Sequence, residues 1–131
     1  MAPASVLVVD GDIAALASAR LVLSAAGYCV NEALNCRRAL QRIMANPPDI
    51  LITEILMPDI DGIELITAVK RSHPHVRIIA VTERGFLGGL DLLDLAAKVG
   101  ADAVLGKPLK AESLLATIAC LAASDSDAPP G

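Results

Sequence analysis

The sequence predicts an α/β fold in which a parallel sheet carries helices on both faces. Three observations point there. Strand-like and helix-like stretches alternate five times along the 131 residues, the pattern of consecutive β–α units. The clearest strand-like stretches are short, unbroken apolar runs, as expected of strands buried on both faces. The helix-like stretches start at capping residues and stop at glycine or proline. The length suits one domain with a single core, read here as residues 1–123, followed by a polar, proline-rich tail over 124–131 that is expected to be disordered.

Val6–Leu7–Val8–Val9 is the first strand, closed by Asp10–Gly11–Asp12. Leu16, Ala19, Leu23 and Ala26 then recur at helical spacing, with Asp12 as N-cap and Gly27 just past the end. Tyr28–Cys29–Val30 is a weaker second strand. Asn35 caps a second helix carrying Leu40, Ile43 and Met44, which Asn46–Pro47–Pro48 stops. Ile50–Leu51–Ile52–Thr53–Glu54 is the third strand and ends in a carboxylate. A Met57–Pro58 turn leads to Asp61, the cap of a third helix with Ile63, Ile66 and Val69 on one face; Lys70 and Arg71 suit the negative end of its dipole. The fourth strand runs from Val76 to Val81 and ends at Thr82. A loop with Gly85, Gly88 and Gly89 follows, holding Phe86 and Leu87 as an apolar pair for a partner or for the sheet. Asp91 caps a fourth helix that stops at Gly100. Ala103–Val104–Leu105 is the fifth strand. Gly106–Lys107–Pro108 leads to a last helix with Leu114, Leu115, Ile118 and Leu121 inward.

Composition removes several functions. With one Tyr, one Phe and no Trp, the core is aliphatic and no stacking platform for single-stranded nucleic acid exists. A net charge of −4 works against binding a phosphate backbone. Cys29, Cys36 and Cys120 form no CxxC pair and read as small buried hydrophobes in a reducing compartment. No apolar run is long enough to span a bilayer, so neither membrane nor nucleic acid is an expected partner and the cytoplasm is the expected location. His73 and His75 flank Pro74 in a loop and read as solvent-facing polar residues rather than a metal pair.

In open α/β sheets, functional groups gather beyond the carboxyl ends of the strands. Here Asp10, Glu54, Thr82 and Lys107 occupy such ends. Two carboxylates, a hydroxyl and an ammonium can hold a hydrated divalent cation, bind a phosphoryl group, or neutralise one another as a buried salt-bridged cluster.

Four pieces in this order resemble one known family: Val8–Val9–Asp10, then Met57–Pro58–Asp59–Ile60–Asp61–Gly62–Ile63–Glu64–Leu65, then Val81–Thr82, then Gly100–Ala101–Asp102 leading to Lys107–Pro108. Over about residues 5–122 the chain is similar to the receiver domain of two-component response regulators. The resemblance implies a (βα)5 doubly wound, flavodoxin-like fold with five parallel strands in the order 2-1-3-4-5, and a cis Lys107–Pro108 peptide. It implies a phosphoacceptor carboxylate at position 54, a phosphoryl-binding pair in Thr82 and Lys107, and an Mg²⁺ site using Asp10, a second acidic residue at position 11, the acceptor and the carbonyl of Leu56.

Two positions depart from that pattern. The acceptor position holds Glu54 and the second acidic position holds Gly11. Glutamate carries one more methylene than aspartate, and in-line transfer is sensitive to misplacement of about an ångström. With Gly11 the cation has lost a ligand, which leaves Asp10 and Glu54 as weak metal candidates. No cofactor is therefore expected, although Mg²⁺ is not excluded. Glu54 either imitates part of a phosphorylated state beside Thr82 and Lys107 or forms an inert ion pair with Lys107. Val104 stands where the family often has a switching aromatic, and as a stiff β-branched residue it reads as packing.

These residues together imply an atypical, stand-alone receiver, a pseudo-receiver in phosphorelay signalling. It would not be phosphorylated at the usual site and would act by protein–protein contact rather than as an enzyme. The expected partner is a histidine kinase, a phosphotransfer protein or an output protein, met through the fourth helix, fifth strand and fifth helix. A homodimer through the fourth helix and fifth strand is left open. The alternative keeps an Mg²⁺-dependent phosphoacceptor modified at Glu54 or Asp10.

Overall fold

Side-chain alternation along the strands divides the core into two halves. The computed structural model describes residues 4–59, 61–83, 86–87 and 90–126, of which 86–87 and 123–126 by backbone alone. Its elements are β1 (Ser5–Val9), α1 (Ile13–Ala25), β2 (Cys29–Ala33), α2 (Cys36–Ala45), β3 (Ile50–Glu54), α3 (Gly62–Ser72), β4 (Arg77–Thr82), β5 (Phe86–Leu87), β6 (Leu90–Asp91), α4 (Leu92–Val99), β7 (Ala103–Gly106) and α5 (Ala111–Ser126). The main sheet is parallel throughout, in the order β2-β1-β3-β4-β7. This is the flavodoxin-like (βα)5 order that the resemblance implies, with β7 as its fifth strand.

One face of the sheet presents Leu7, Val9, Leu51, Ile78 and Ala80 to residues of α2, α3 and α4, among them Ala39, Ile43, Ile66, Val69 and Ala96. The other presents Val6, Val8, Ile50, Ile52, Ile79 and Val81 to Leu16, Ala19 and Leu23 of α1 and to Leu114, Ile118 and Leu121 of α5. Successive strand residues point to opposite faces, so a continuous apolar run fills both halves at once. Helices α1 to α4 each begin where the sequence places a cap. The side chains of Asp12, Asn35, Asp61 and Asp91 accept the backbone N–H of Ala14, Arg38, Glu64 and Asp94 at 2.8–3.0 Å.

Several details differ from the sequence reading. Met44 is 53 % exposed, and Cys36 and Ala39 take the inward positions of α2 beside Ile43. Ala26 is the exposed C-cap of α1 rather than part of its inner face. Of the cysteines only Cys36 is buried. Its thiol is pushed up to about 12, first by burial and then by Asp59, Asp61 and Glu64. The stretch read as a loop after Thr82 contains the antiparallel pair β5–β6; Gly88–Gly89 between two short segments is a hairpin signal in the sequence. Gly85, Gly88 and Gly89, and the side chains of Phe86 and Leu87, lie outside the described residues. Helix α5 continues to Ser126, past the point where the tail was expected, and 127–131 lie outside the described residues.

Three aspartates fasten elements that are distant in sequence. Asp49 accepts the N–H of Ser5 at 2.8 Å and ties the start of β3 to β1. Asp59, in the loop before α3, accepts the N–H of Arg37 at 3.1 Å and so caps α2 from outside. Asp102 accepts the N–H of Ile78 at 2.8 Å and pairs with Lys70 at 2.9 Å and Arg77 at 3.5 Å, locking α3, β4 and the entry to β7 together.

Helix α3 begins hard against the end of β3. The Gly62 N–H donates to the Ile55 carbonyl at 2.7 Å. A Cβ at Gly62 would lie 2.2 Å from the Glu54 carbonyl oxygen and 2.7 Å from the Ile55 Cα, both backbone atoms that cannot swing aside. We expect Gly62→Ala to destabilise the fold by about 2 kcal/mol or more through overpacking, whereas Gly106→Ala, where a Cβ meets nothing within 4 Å, should be several-fold milder. Urea midpoints of the two variants check this, and equal midpoints would contradict it.

Candidate functional site

Strand register brings the polar strand ends to one edge. Val9 pairs with Thr53, Glu54 with Val81 and Thr82 with Gly106. Asp10, Glu54, Thr82 and Lys107 therefore lie side by side at the carboxyl edge of β1, β3, β4 and β7. Backbone bonds fix the exits. Asp10 N–H donates to the Ala33 carbonyl at 3.2 Å, Ile55 N–H to Val81 at 2.9 Å and Lys107 N–H to Thr82 at 2.9 Å. The Lys107–Pro108 peptide is cis.

The centre of the site is one ammonium shared by two carboxylates. Lys107 Nζ donates to Asp10 Oδ2 at 2.6 Å and lies 3.0 Å from Glu54 Oε2. Asp10 Oδ1 accepts the N–H of Asp12 at 2.9 Å. Asp10 and Glu54 are each only 8 % exposed, and Thr82 1 %. The two ion pairs are unequal. Asp10 receives a directed hydrogen bond from Lys107, whereas Glu54 Oε2, also buried, faces the same ammonium at 3.0 Å without one of good geometry. Burial raises the Glu54 carboxyl above its ordinary value, further helped by the Asp10 charge; Lys107 and the Leu56 backbone only partly offset this. Lys107 itself is opposed by burial, but the two carboxylates outweigh that and hold it above its ordinary value.

Parity along the strands separates the four residues. Asp10 and Glu54 continue the α1/α5 face of Val8 and Ile52, while Thr82 continues the α3/α4 face of Ala80. Val104 packs, partly buried, on that second face. Gly11 leaves open space: a Cβ there would meet only the Leu34 carbonyl, at 3.9 Å. His73 ends α3 with Nδ1 2.8 Å from the Ser72 hydroxyl, and His75 is exposed.

The donor set does not fit a hard divalent cation. Such an ion takes oxygen ligands that face it. Here both close carboxylates face Lys107 Nζ, position 11 supplies no side chain, and among the described residues no three His, Cys, Asp or Glu side chains gather as metal ligands. Glu83, at the mouth of the site, and Asp59, which braces the adjacent loop, escaped the sequence reading. Their roles depend on contacts that no local pattern announces.

The raised Glu54 carboxyl gives stability a signed dependence on pH. Below the unfolded value near 4.5, Glu54 is neutral in both states and exerts no effect. As pH rises from there through the higher folded value, ionisation favours the unfolded chain and the penalty develops in full. Glu54→Gln should therefore match the natural chain at low pH and become relatively more stable as pH rises to neutrality. Lys107→Met, which strands two buried carboxylates, should lose about 3 kcal/mol near neutral pH. Denaturant midpoints across pH check both; a Glu54→Gln advantage that shrinks on going to neutral pH would reverse the assignment.

Comparison with known proteins agrees with this geometry. The model of the response regulator receiver domain family matches residues 6–119. The response regulator MprA of Mycolicibacterium vanbaalenii is 35 % identical over 123 residues, which is 91 % of this chain and 50 % of that protein. Its counterpart in Mycobacterium avium is 35 % identical over 120 residues, 88 % of this chain and 50 % of its own length. The chain thus spans about half the length of these relatives. Among solved structures, a CheY-like receiver domain protein of Methanospirillum hungatei superposes with a TM-score of 0.85 at 28 % identity, covering 91 % of this chain and 93 % of that one. Chemotaxis protein CheY4 of Vibrio cholerae does so at 0.81 and 30 %, covering 91 % and 98 %. With its strand order, its Asp10–Lys107 pair and these likenesses, the chain belongs to the response regulator receiver domain family.

Proposed function

We propose that this domain is a pseudo-receiver: a signalling module that works through protein contacts without taking a phosphoryl group at the usual position. One observation carries the reading. The carboxylate at the acceptor position belongs to Glu54, is buried, and faces an ammonium already bonded to Asp10. A phosphoryl donor would have to displace Lys107 from two carboxylates while lacking the metal that position 11 normally helps to hold. The partner is a histidine kinase, a phosphotransfer protein or an output protein, engaged through α4, β7 and α5, and the setting is cytoplasmic. Among the described residues no helix is long and apolar enough to cross a membrane.

Gly11 has no packing reason to be glycine, since its backbone lacks positive φ and a side chain has room. The lost chemistry should therefore be restorable. Incubated with acetyl phosphate and Mg²⁺, the natural chain should keep its mass, while the double variant Gly11→Asp, Glu54→Asp should gain one phosphoryl group by intact-mass spectrometry. Stoichiometric phosphorylation of the natural chain would overturn the proposal in favour of a phosphoacceptor using Glu54 or Asp10.

A further inference from the structure

The two sides of the sheet are covered by helices of different character. Helices α2 and α3 carry three charged residues each, among ten and eleven. Helix α1 has one in thirteen, Arg20, and that guanidinium is paired with Glu32 of β2. Helix α5 has Glu112 and Asp125 in sixteen. Both α1 and α5 are apolar nearly all round, the pattern of a helix covered on both sides. Here one side of each covers the sheet and the other is surface. Ile13 and Leu21 of α1 are 72 % and 75 % exposed, the most exposed large apolar side chains among the described residues.

A cavity of about 510 Å³ opens between the same two helices. Ala15, Ser18 and Ala19 of α1 and Ala111 of α5 line it and are too short to close it, and Val22 and Leu114 add apolar walls. A lining without partner atoms forfeits dispersion contacts. Projection and recess are neighbours. Leu21 lies one helical turn on from Ser18, which is both exposed and part of the cavity wall. A surface with a projection beside a recess is complementary to itself under two-fold rotation.

Charge is consistent with the same occupant. Each chain is net −4, so two copies repel unless they meet where charge is absent. The acids of this face sit at one end, where Asp10, Asp12 and Glu54 line the cavity mouth. Antiparallel pairing of two α1 helices sends the mouths to opposite ends. With the two-fold axis at Ser18, the two copies of Asp12 lie about 18 Å apart along the helix, beyond the screening length of about 8–10 Å. Leu21 of each copy then comes opposite Ala15 of the other. We propose that two copies of this chain associate through α1, antiparallel about Ser18, with Leu21 of each seated in the cavity between α1 and α5 of the other. The face measures roughly 20 by 20 Å, the size of a weak, reversible interface rather than a permanent one. The pairing leaves α4 and β7 uncovered and does not rest on whether position 54 takes a phosphoryl group.

The test is sedimentation equilibrium of the intact chain with no phosphoryl donor present. Monomers should pass to dimers with a Kd of about 10–100 µM. Leu21→Glu, at an exposed position, should raise that Kd at least about tenfold, while Lys98→Glu on the exposed side of α4 should leave it unchanged. Ser18→Cys, with Cys29→Ser and Cys120→Ser to remove the other exposed thiols, should give a covalent dimer on air oxidation, because a residue at the axis meets its own copy. A chain that stays monomeric to about 1 mM overturns the proposal and leaves this face to a different protein. A dimer that survives Leu21→Glu overturns it too, and one that Lys98→Glu dissociates instead moves the interface to α4 and β7. Should the Ser18→Cys variant fail to fold, the Leu21→Glu measurement decides. None of these outcomes bears on the phosphoryl-donor experiment, so the two readings fail separately.

Discussion

The sharing of one ammonium between two buried carboxylates is the constraint on which the functional edge of this protein depends. A parallel β–α fold delivers every strand end to the same edge, and here two of those ends are acidic and out of water. Isolated carboxylates in that setting would shift their protonation or unfold the edge. Lys107 prevents this by reaching both Asp10 at 2.6 Å and Glu54 at 3.0 Å. It is held in place by its own N–H on the Thr82 carbonyl. The neutralisation is incomplete, since two negative charges face one positive charge. Glu54 bears the deficit because Asp10 has the directed bonds.

The two departures from the family pattern act on this same balance. An acidic residue at position 11 would add a third carboxylate and make a cation welcome; glycine keeps the count at two, which Lys107 can nearly serve. Glutamate in place of aspartate extends the carboxylate towards that ammonium. Packing does not force the glycine, since a side chain has room at position 11. Glycine at position 11 and glutamate at position 54 keep the local count at two carboxylates, and Lys107 Nζ reaches both.

Much of this was legible in the sequence because it is written locally. A capping residue announces the start of its own helix, and the caps Asp12, Asn35, Asp61 and Asp91 all stand where the pattern puts them. Apolar runs gave the strands, and their order placed Asp10, Glu54, Thr82 and Lys107 at one edge. What stayed hidden is set by distance through space. Asp59 caps a helix that is not its own. Asp102 binds three elements at once. Met44 sits at helical spacing with Ile43 and Leu40 but falls on the outer side, because Cys36 and Ala39 fix the inward face. The cavity is a property of two helices facing each other, so no single stretch encodes it.

Strand parity decides where a change at this site is felt. Asp10 and Glu54 share the α1/α5 face and line the cavity there, whereas Thr82 and Val104 belong to the α3/α4 face. A route through a threonine and a swinging aromatic would cross the sheet to α4, and Val104 has no ring to carry it. The charge deficit at Glu54 acts instead on Lys107, whose backbone continues through Pro108 and Leu109 into the first turn of α5, and these residues also wall the cavity. A change in the charge or hydrogen bonding of Glu54 therefore bears first on α5. That helix is also part of the surface proposed for a protein partner, and the shortest stretch of chain from Glu54 and Lys107 to it lies on this side of the sheet.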